Sequence, residues 1–398
     1  MKSTIKVLIA FMAVLLVMAG CEYDGPTAMY NRPYDETNPP VINSVDPPEA
    51  VAGINYITIQ GENFSSVLDS NKVYIDGFLA EITGYTASAL TIRRPNRTGE
   101  STTIKVVNYE TIGHATYTPY KIDPVFKTYG GFIENQPFVA VDVDKDENVY
   151  LVQRTPRSIH KIEPDGNKTI LGEASRNVTD MKVAPDGQLV LLCANRDLYK
   201  FDVNTGVETE WISQGERVSF GDFDVNGNFY TGGRRTGVVV IKTDLSDESL
   251  DFYSGDEILC VRVFEGAVYF LVVAARPDDN TPELAVWKHE IQNANGALGD
   301  GTLVVDWAVF GADEDAVPAY FTFSESGLIV LGSDNSQPIF TYDMNSGTAD
   351  TFYKDILPAG AVAFSWGTGD YLYMIQGGDK NDLIRIDMGM AGAPYYGR

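Results

Sequence analysis

From residue 138 onward one short phrase recurs six times: a hydrophobic run, a tight turn that usually holds glycine, and a second run rich in Val, Leu and Tyr. It reads Phe138-Val-Ala-Val-Asp-Val143 into Asn148-Val-Tyr-Leu151, then Val178-Thr-Asp-Met-Lys-Val183 into Gly187-Gln-Leu-Val-Leu191, then Val218-Ser-Phe-Gly-Asp-Phe223 into Gly227-Asn-Phe-Tyr230. Taking Glu147, Gly187, Gly227, Gly266, Gly327 and Gly369 as markers, successive turns lie 40, 40, 39, 61 and 42 residues apart. A period of about 40 residues built from strands is that of a β-propeller, in which each blade is a four-stranded sheet. Six copies predict six blades over 123–398.

The rest of the composition agrees with an all-β protein. Of 398 residues, 44% are hydrophobic, enough for more than one core, and 37 Gly with 19 Pro supply many turns. Against 30 Lys and Arg stand 55 Asp and Glu, a formal charge of −25. Such a chain repels nucleic acid, so no nucleic-acid partner is expected. At the other end of the argument is the address. Lys2 and Lys6 precede an apolar stretch, Val7 to Val17, and the small-residue sequence Met18-Ala-Gly-Cys21. This leader, residues 1–21, resembles a bacterial lipoprotein signal with its lipobox. That resemblance implies a lipid on Cys21, which becomes the mature N-terminus and partners the membrane. Glu22 rather than Asp after the cysteine is unlike an inner-membrane retention signal, so outer-membrane attachment is expected, at the cell surface or facing the periplasm. The remaining cysteines, Cys193 and Cys260, sit in apolar runs where Cys acts as a small hydrophobe; a disulfide between blades is the alternative.

Residues 22–39 are polar and proline-containing and read as a flexible tether. Between 40 and 122, short alternating segments such as Tyr56-Ile-Thr-Ile-Gln60, Lys72-Val-Tyr-Ile-Asp76 and Leu90-Thr-Ile-Arg93 predict an Ig-like sandwich. Ser44-Val-Asp-Pro-Pro48, Ile57-Thr-Ile-Gln-Gly61-Glu-Asn-Phe64 and Val73-Tyr-Ile-Asp-Gly77 resemble the successive motifs of an IPT/TIG domain, which implies a non-catalytic spacer or binding module. In the propeller, third strands recur as Ile159-His-Lys-Ile-Glu163, Leu198-Tyr-Lys-Phe-Asp202, Ile339-Phe-Thr-Tyr-Asp343 and Ile384-Arg-Ile-Asp387. These repeats resemble the NHL-type six-bladed propellers. Blade four carries about 20 extra residues between Ala274 and Gly301, read as a protruding insertion. Val125-Phe-Lys-Thr-Tyr129 is a strand without a blade of its own, expected to pair with the C-terminal blade and close the ring.

Catalytic patterns are sparse. The three histidines, His114, His160 and His289, have no paired spacing and do not make a zinc site. Ala363-Phe-Ser365-Trp-Gly367 imitates a nucleophile elbow but sits in a β-hairpin with no later histidine. Asp142-x-Asp144-x-Asp146-x-Asn148 has the alternating oxygens of a calcium loop, yet lacks its glycine and coincides with the turn of every other blade. It reads as an acidic turn, and no metal or other cofactor is expected. Trp211, Trp287 and Trp307 read as packing between blades, and Trp366 as an exposed platform.

Arginines are the exception. The loops from second to third strand and from fourth strand to the next blade share one face of a propeller. Those loops hold Arg154, Arg157, Arg176, Arg196, Arg217, Arg234, Arg235 and Arg276, eight of the eleven arginines between 123 and 398. Guanidinium groups grip carboxylates and phosphates bidentately and stack on rings. The expected function is therefore non-catalytic: a lipid-anchored envelope protein whose sandwich lifts a propeller that binds an oligosaccharide or another anionic, polyhydroxylated ligand. Two alternatives are a metal-dependent lactonase, lyase or hydrolase using acids such as Asp180, Asp222 and Asp224, and a scaffold partnering an outer-membrane transporter.

Overall fold

The computed structural model describes residues 38–132, 136–278, 280–311, 318–377 and 382–396. The leader with Cys21 and nearly all of the tether lie outside the described residues. Within them, strands form eight four-stranded sheets, two in the N-terminal unit and six in the C-terminal one. No described helix is long and apolar enough to cross a membrane.

The N-terminal unit is a sandwich. One sheet orders Val41–Asp46, Tyr56–Glu62, Ala89–Arg93 and Ile82–Tyr85; the other orders Phe78–Leu79, Asn71–Ile75, Gly99–Asn108 and His114–Ile122. Side chains alternate in and out along each strand, so Ile57, Ile59, Leu90 and Ile92 of one sheet are buried with Val73, Ile75, Ile104 and Val106 of the other.

The C-terminal unit is a six-bladed propeller, and its first strands form the innermost ring: Phe138–Val143, Asp180–Val183, Phe220–Phe223, Glu257–Phe264, Pro318–Phe323 and Ala361–Trp366. Each touches the first strand of the next blade, and the last packs on the first. Closure is made by Phe126–Thr128, which supplies the fourth strand of the last blade with Lys127 opposite Arg385. This is the pairing that the isolated segment Val125–Tyr129 predicts.

A second clasp fastens the same two blades. Gly187, Gly227, Gly266 and Gly327 all adopt positive φ at their turns, and Glu147 holds the same place in the first blade with φ 60°. A side chain in that conformation is disfavoured, yet here it has work. Its carboxylate accepts hydrogen bonds from Thr368 N (2.8 Å), Thr368 Oγ1 (3.1 Å) and Gly369 N (3.0 Å) in the last blade's turn. Glu147→Gly should relax the backbone but lose the clasp. The expected net loss is about 2 kcal/mol, a melting temperature lower by about 5 °C in calorimetry. An unchanged melting temperature would remove the clasp from the closure.

Two readings from sequence are corrected. Trp366 is fully buried, not an exposed platform: its ring lies under Gly392 and its Nε1 donates to Gly369 O at 3.1 Å. Nor does the insertion of blade four simply protrude. The strand Leu284–Glu290 runs through it, and the following loop folds back beneath blade three, where Asn228 Nδ2 donates to Ala294 O at 3.0 Å and Gly296 packs against Tyr230.

Sandwich and propeller are joined through Tyr353, which is buried with φ 51°. Its hydroxyl accepts from Gly53 N (2.6 Å) and donates to Asp387 O (2.8 Å), while its backbone N donates to Asn55 Oδ1 (2.9 Å). Beside it Tyr56 donates to Asp350 at 2.6 Å, and Arg93 bridges Asp350 (3.2 Å) and Glu81 (3.3 Å).

Candidate functional site

Because the innermost strands alternate, every second side chain points to the propeller axis or into a neighbouring blade. The axis is charged. Asp142, Asp180, Lys182, Asp222 and Arg262 are all buried there, beside Cys260 and Tyr320. Asp142 accepts from Ser365 Oγ (2.7 Å) and Val183 N (2.8 Å), and Asp222 from Val263 N (2.9 Å), so each carboxylate stitches its blade to a neighbour. Lys182 Nζ lies 3.9 Å from Asp180. Burial pushes Asp180 and Asp222 above the usual carboxylate range, and Lys182 and Arg262 pull them back. Arg262 stays charged: burial opposes its charge, but neighbouring groups, the carboxyls of Asp222 and Asp180 among them, hold it above its ordinary value.

One end of this axis is shut. The C-terminal segment runs under blade five, with Gly392 bridged to Ser324, and Tyr395 places its hydroxyl 2.6 Å from Thr322 Oγ1 while accepting from Phe323 N at 2.9 Å. The other end opens as a cavity of about 630 Å³ to which all six blades contribute, through Val139, Val178, Phe220, Leu259, Tyr320 and Val362. Tyr320 and Phe220 meet edge to face across its floor. Its two sides differ. Gln153, Arg154, Thr155, Arg157, Asn177 and Thr179, all of blades one and two, supply the polar groups, whereas blades three to six are mainly apolar.

Only two of the eight arginines expected to form a site, Arg154 and Arg157, line this cavity. Arg157 is held by a hydrogen bond from Nε to Ala174 O at 2.9 Å. Arg176, Arg196, Arg217, Arg234, Arg235 and Arg276 are exposed and stand outside the lining. Of these Arg234 pairs weakly with Glu257 at 3.9 Å. Sequence position sorted the loops to one face but could not say which tips lean inward.

The carboxylates proposed as metal ligands do not form a metal site. Among the described residues no three His, Cys, Asp or Glu side chains converge on a point that could hold a metal ion. Asp224 turns away from the axis and caps its turn, accepting from Asn226 N, Asn228 N and Tyr230 Oη. Asp180 and Asp222 share the axis with an ammonium and a guanidinium, the charges a metal ion would otherwise supply. Asp144 repeats the Asp224 cap with Asn148 and Tyr150, which is the acidic turn read from the sequence. Cys193 and Cys260 are free thiols.

Fold and site together define a sandwich followed by a six-bladed propeller with an axial mouth. Residues 40–122 match the IPT/TIG domain family. Among solved structures, the chain is similar to an auxiliary nutrient binding protein from Bacteroides thetaiotaomicron (14% identity, 89% of this chain and 98% of that one, TM-score 0.53). It is similar also to an auxiliary nutrient binding protein from Bacteroides ovatus (12%, 89% and 99%, TM-score 0.52). A gluconolactonase from Xanthomonas campestris matches over a smaller part (13%, 66% of this chain and 89% of that one, TM-score 0.51). At these identities the likeness is one of fold, shared by binding proteins and enzymes alike. No curated protein matches the sequence.

Proposed function

We propose that this chain is a non-catalytic, lipid-anchored binding protein of the outer membrane that holds an anionic, polyhydroxylated ligand, such as an acidic oligosaccharide, at the propeller mouth. The observation that carries this reading is the axial cavity of about 630 Å³, open at one end, with Arg154 and Arg157 on one wall and an apolar wall opposite. A sugar ring has an apolar face to lay on Phe220 and Tyr320, and a carboxylate or sulfate to meet a guanidinium. Lipid on Cys21 and the IPT/TIG spacer would hold this mouth away from the membrane, in reach of an outer-membrane transporter. Two relatives in fold that span nearly the whole architecture are named as nutrient-binding proteins. Lys182 and Arg262 on the axis weigh against the alternative of a metal-dependent lactonase or lyase.

Affinity electrophoresis against neutral and acidic polysaccharides tests the proposal. Arg154→Ala combined with Arg157→Ala should weaken retardation by about tenfold or more, the loss of roughly 1.4 kcal/mol or more. Arg196→Ala and Arg235→Ala should do little, since neither lines the cavity. Failure of every glycan to retard the protein would overturn the reading.

A further inference from the structure

Along the seam between sandwich and propeller lie three depressions of about 280, 240 and 270 Å³. The first is walled by Phe78, Leu79 and Lys354; it shares Arg94 to Arg97 with the second. The second shares Pro124, Val125 and Phe126 with the third, which ends on Lys127, Tyr371 and Arg385. Common walls join the three into one groove, which shares no lining residue with the propeller mouth. Its floor is fixed by the Tyr353 junction and by Arg94, whose guanidinium is tied to Val51 O and Asp123 O.

Six cations and four carboxylates, Glu81, Asp123, Asp355 and Asp387, line the groove, a positive balance in a chain of net charge −25. Arg93 and Lys354 are occupied by Glu81 and Asp350. Arg97, Lys127 and Arg385 are not: none forms an ion pair with a described carboxylate, and the two arginines lie on aromatic rings instead. Arg97 sits 3.0 Å from the centre of the Phe78 ring and Arg385 4.0 Å from that of Tyr371. A guanidinium fixed on a ring, as that of Arg97 is, keeps N–H groups along its edge for bidentate contact with a carboxylate or sulfate, whereas Arg385 also hydrogen-bonds the side chains of Tyr129 and Tyr373 and adds mainly its charge. We propose that this groove is a second binding site, for a linear acidic oligosaccharide laid across the junction with its acid groups on Arg97, Lys127 and Arg385. An acidic peptide fits less well. The bordering strands Phe78–Leu79 and Phe126–Thr128 have two and three residues, too short an edge for a peptide to join as a strand.

The site is independent of the mouth and is tested with the mouth disabled. Full-length protein carrying Arg154→Ala and Arg157→Ala should still bind hexagalacturonate or a chondroitin sulfate hexasaccharide in calorimetric titration. Adding Arg97→Ala and Lys127→Ala should weaken that binding about tenfold or more and flatten its salt dependence. Arg385→Lys, which keeps the charge but loses the planar stack, should also weaken it. The proposal falls if the mouth variant binds neither oligosaccharide, if the groove substitutions leave affinity unchanged while the protein stays folded, or if poly-L-glutamate competes as well as the sugars do. Loss of glycan binding in the mouth variant alone would leave the mouth reading intact and remove this one.

Discussion

Arg262→Met should destabilise the propeller by about 3–5 kcal/mol at neutral pH, and the deficit should shrink on acidification. Removing one partner from a buried charge network leaves the others uncompensated, which costs far more than the pair itself is worth. At the axis the carboxylates left behind are Asp180 and Asp222, both buried, with Asp142 nearby and Lys182 as a remaining cation. Each already has its pKa raised by burial against the pull of Lys182 and Arg262. A carboxyl whose folded pKa is raised binds more protons folded than unfolded, so its stability contribution is largest below the unfolded value of about 3.9 and is lost as pH rises through the folded pKa. Without Arg262 both values climb further and the loss at pH 7 grows. Thermal melts at pH 7.5 and pH 5 should therefore differ: a fall of about 10 °C relative to the unsubstituted protein at the higher pH, and a smaller one at the lower. A deficit equal at both pH values would mean that the guanidinium acts only by filling space, which its packing near Tyr395 would then explain.

How much of this was written in the sequence depended on distance along the chain. The blades were legible because each is local. A turn that needs positive φ selects glycine at 187, 227, 266 and 327, and alternating burial on either side marks two strands. The closing strand was legible for the same reason, as a strand with no hairpin of its own. Trp366 was misread because a hairpin position predicts exposure only if nothing covers it, and what covers it is the C-terminal segment around Gly392. The axis was half legible. Asp180 and Asp222 stood out as acids on inner strands, but their neutralisation by Lys182 and Arg262 follows from alternation in separate blades meeting at one line. The seam groove was not legible at all. Phe78 and Arg385 lie some 300 residues apart in the chain, and no pattern in either segment points to the other.

The same distance makes Tyr353 the most consequential residue of the junction, and Tyr353→Ala should undock the sandwich from the propeller. The side chain is 1% exposed and its hydroxyl links Gly53 N to Asp387 O, so truncation removes a buried ring and strands two backbone groups. The expected cost is about 3–5 kcal/mol for the ring, with about 1–3 kcal/mol more for the unsatisfied pair. Tyr353→Phe isolates the second part. Close packing leaves little room for compensation: a Cβ on Gly389 would come within 2.6 Å of the Ala52 backbone, so Gly389→Ala should loosen the same contact. Alkali should act there as well, because burial pushes both Tyr353 and Tyr56 up to about 12. Each tyrosine stabilises the docked form below its unfolded pKa of about 10, and that support is lost as pH rises towards 12. Small-angle scattering should show Tyr353→Ala with a larger radius of gyration and protease cleavage near Asp123, while both units keep their β circular dichroism. If the variant scatters as compactly as the unsubstituted protein, the contacts of Arg93 and Tyr56 with Asp350 and of Lys354 with Glu81 suffice to hold the junction, and the groove would survive the loss of the tyrosine.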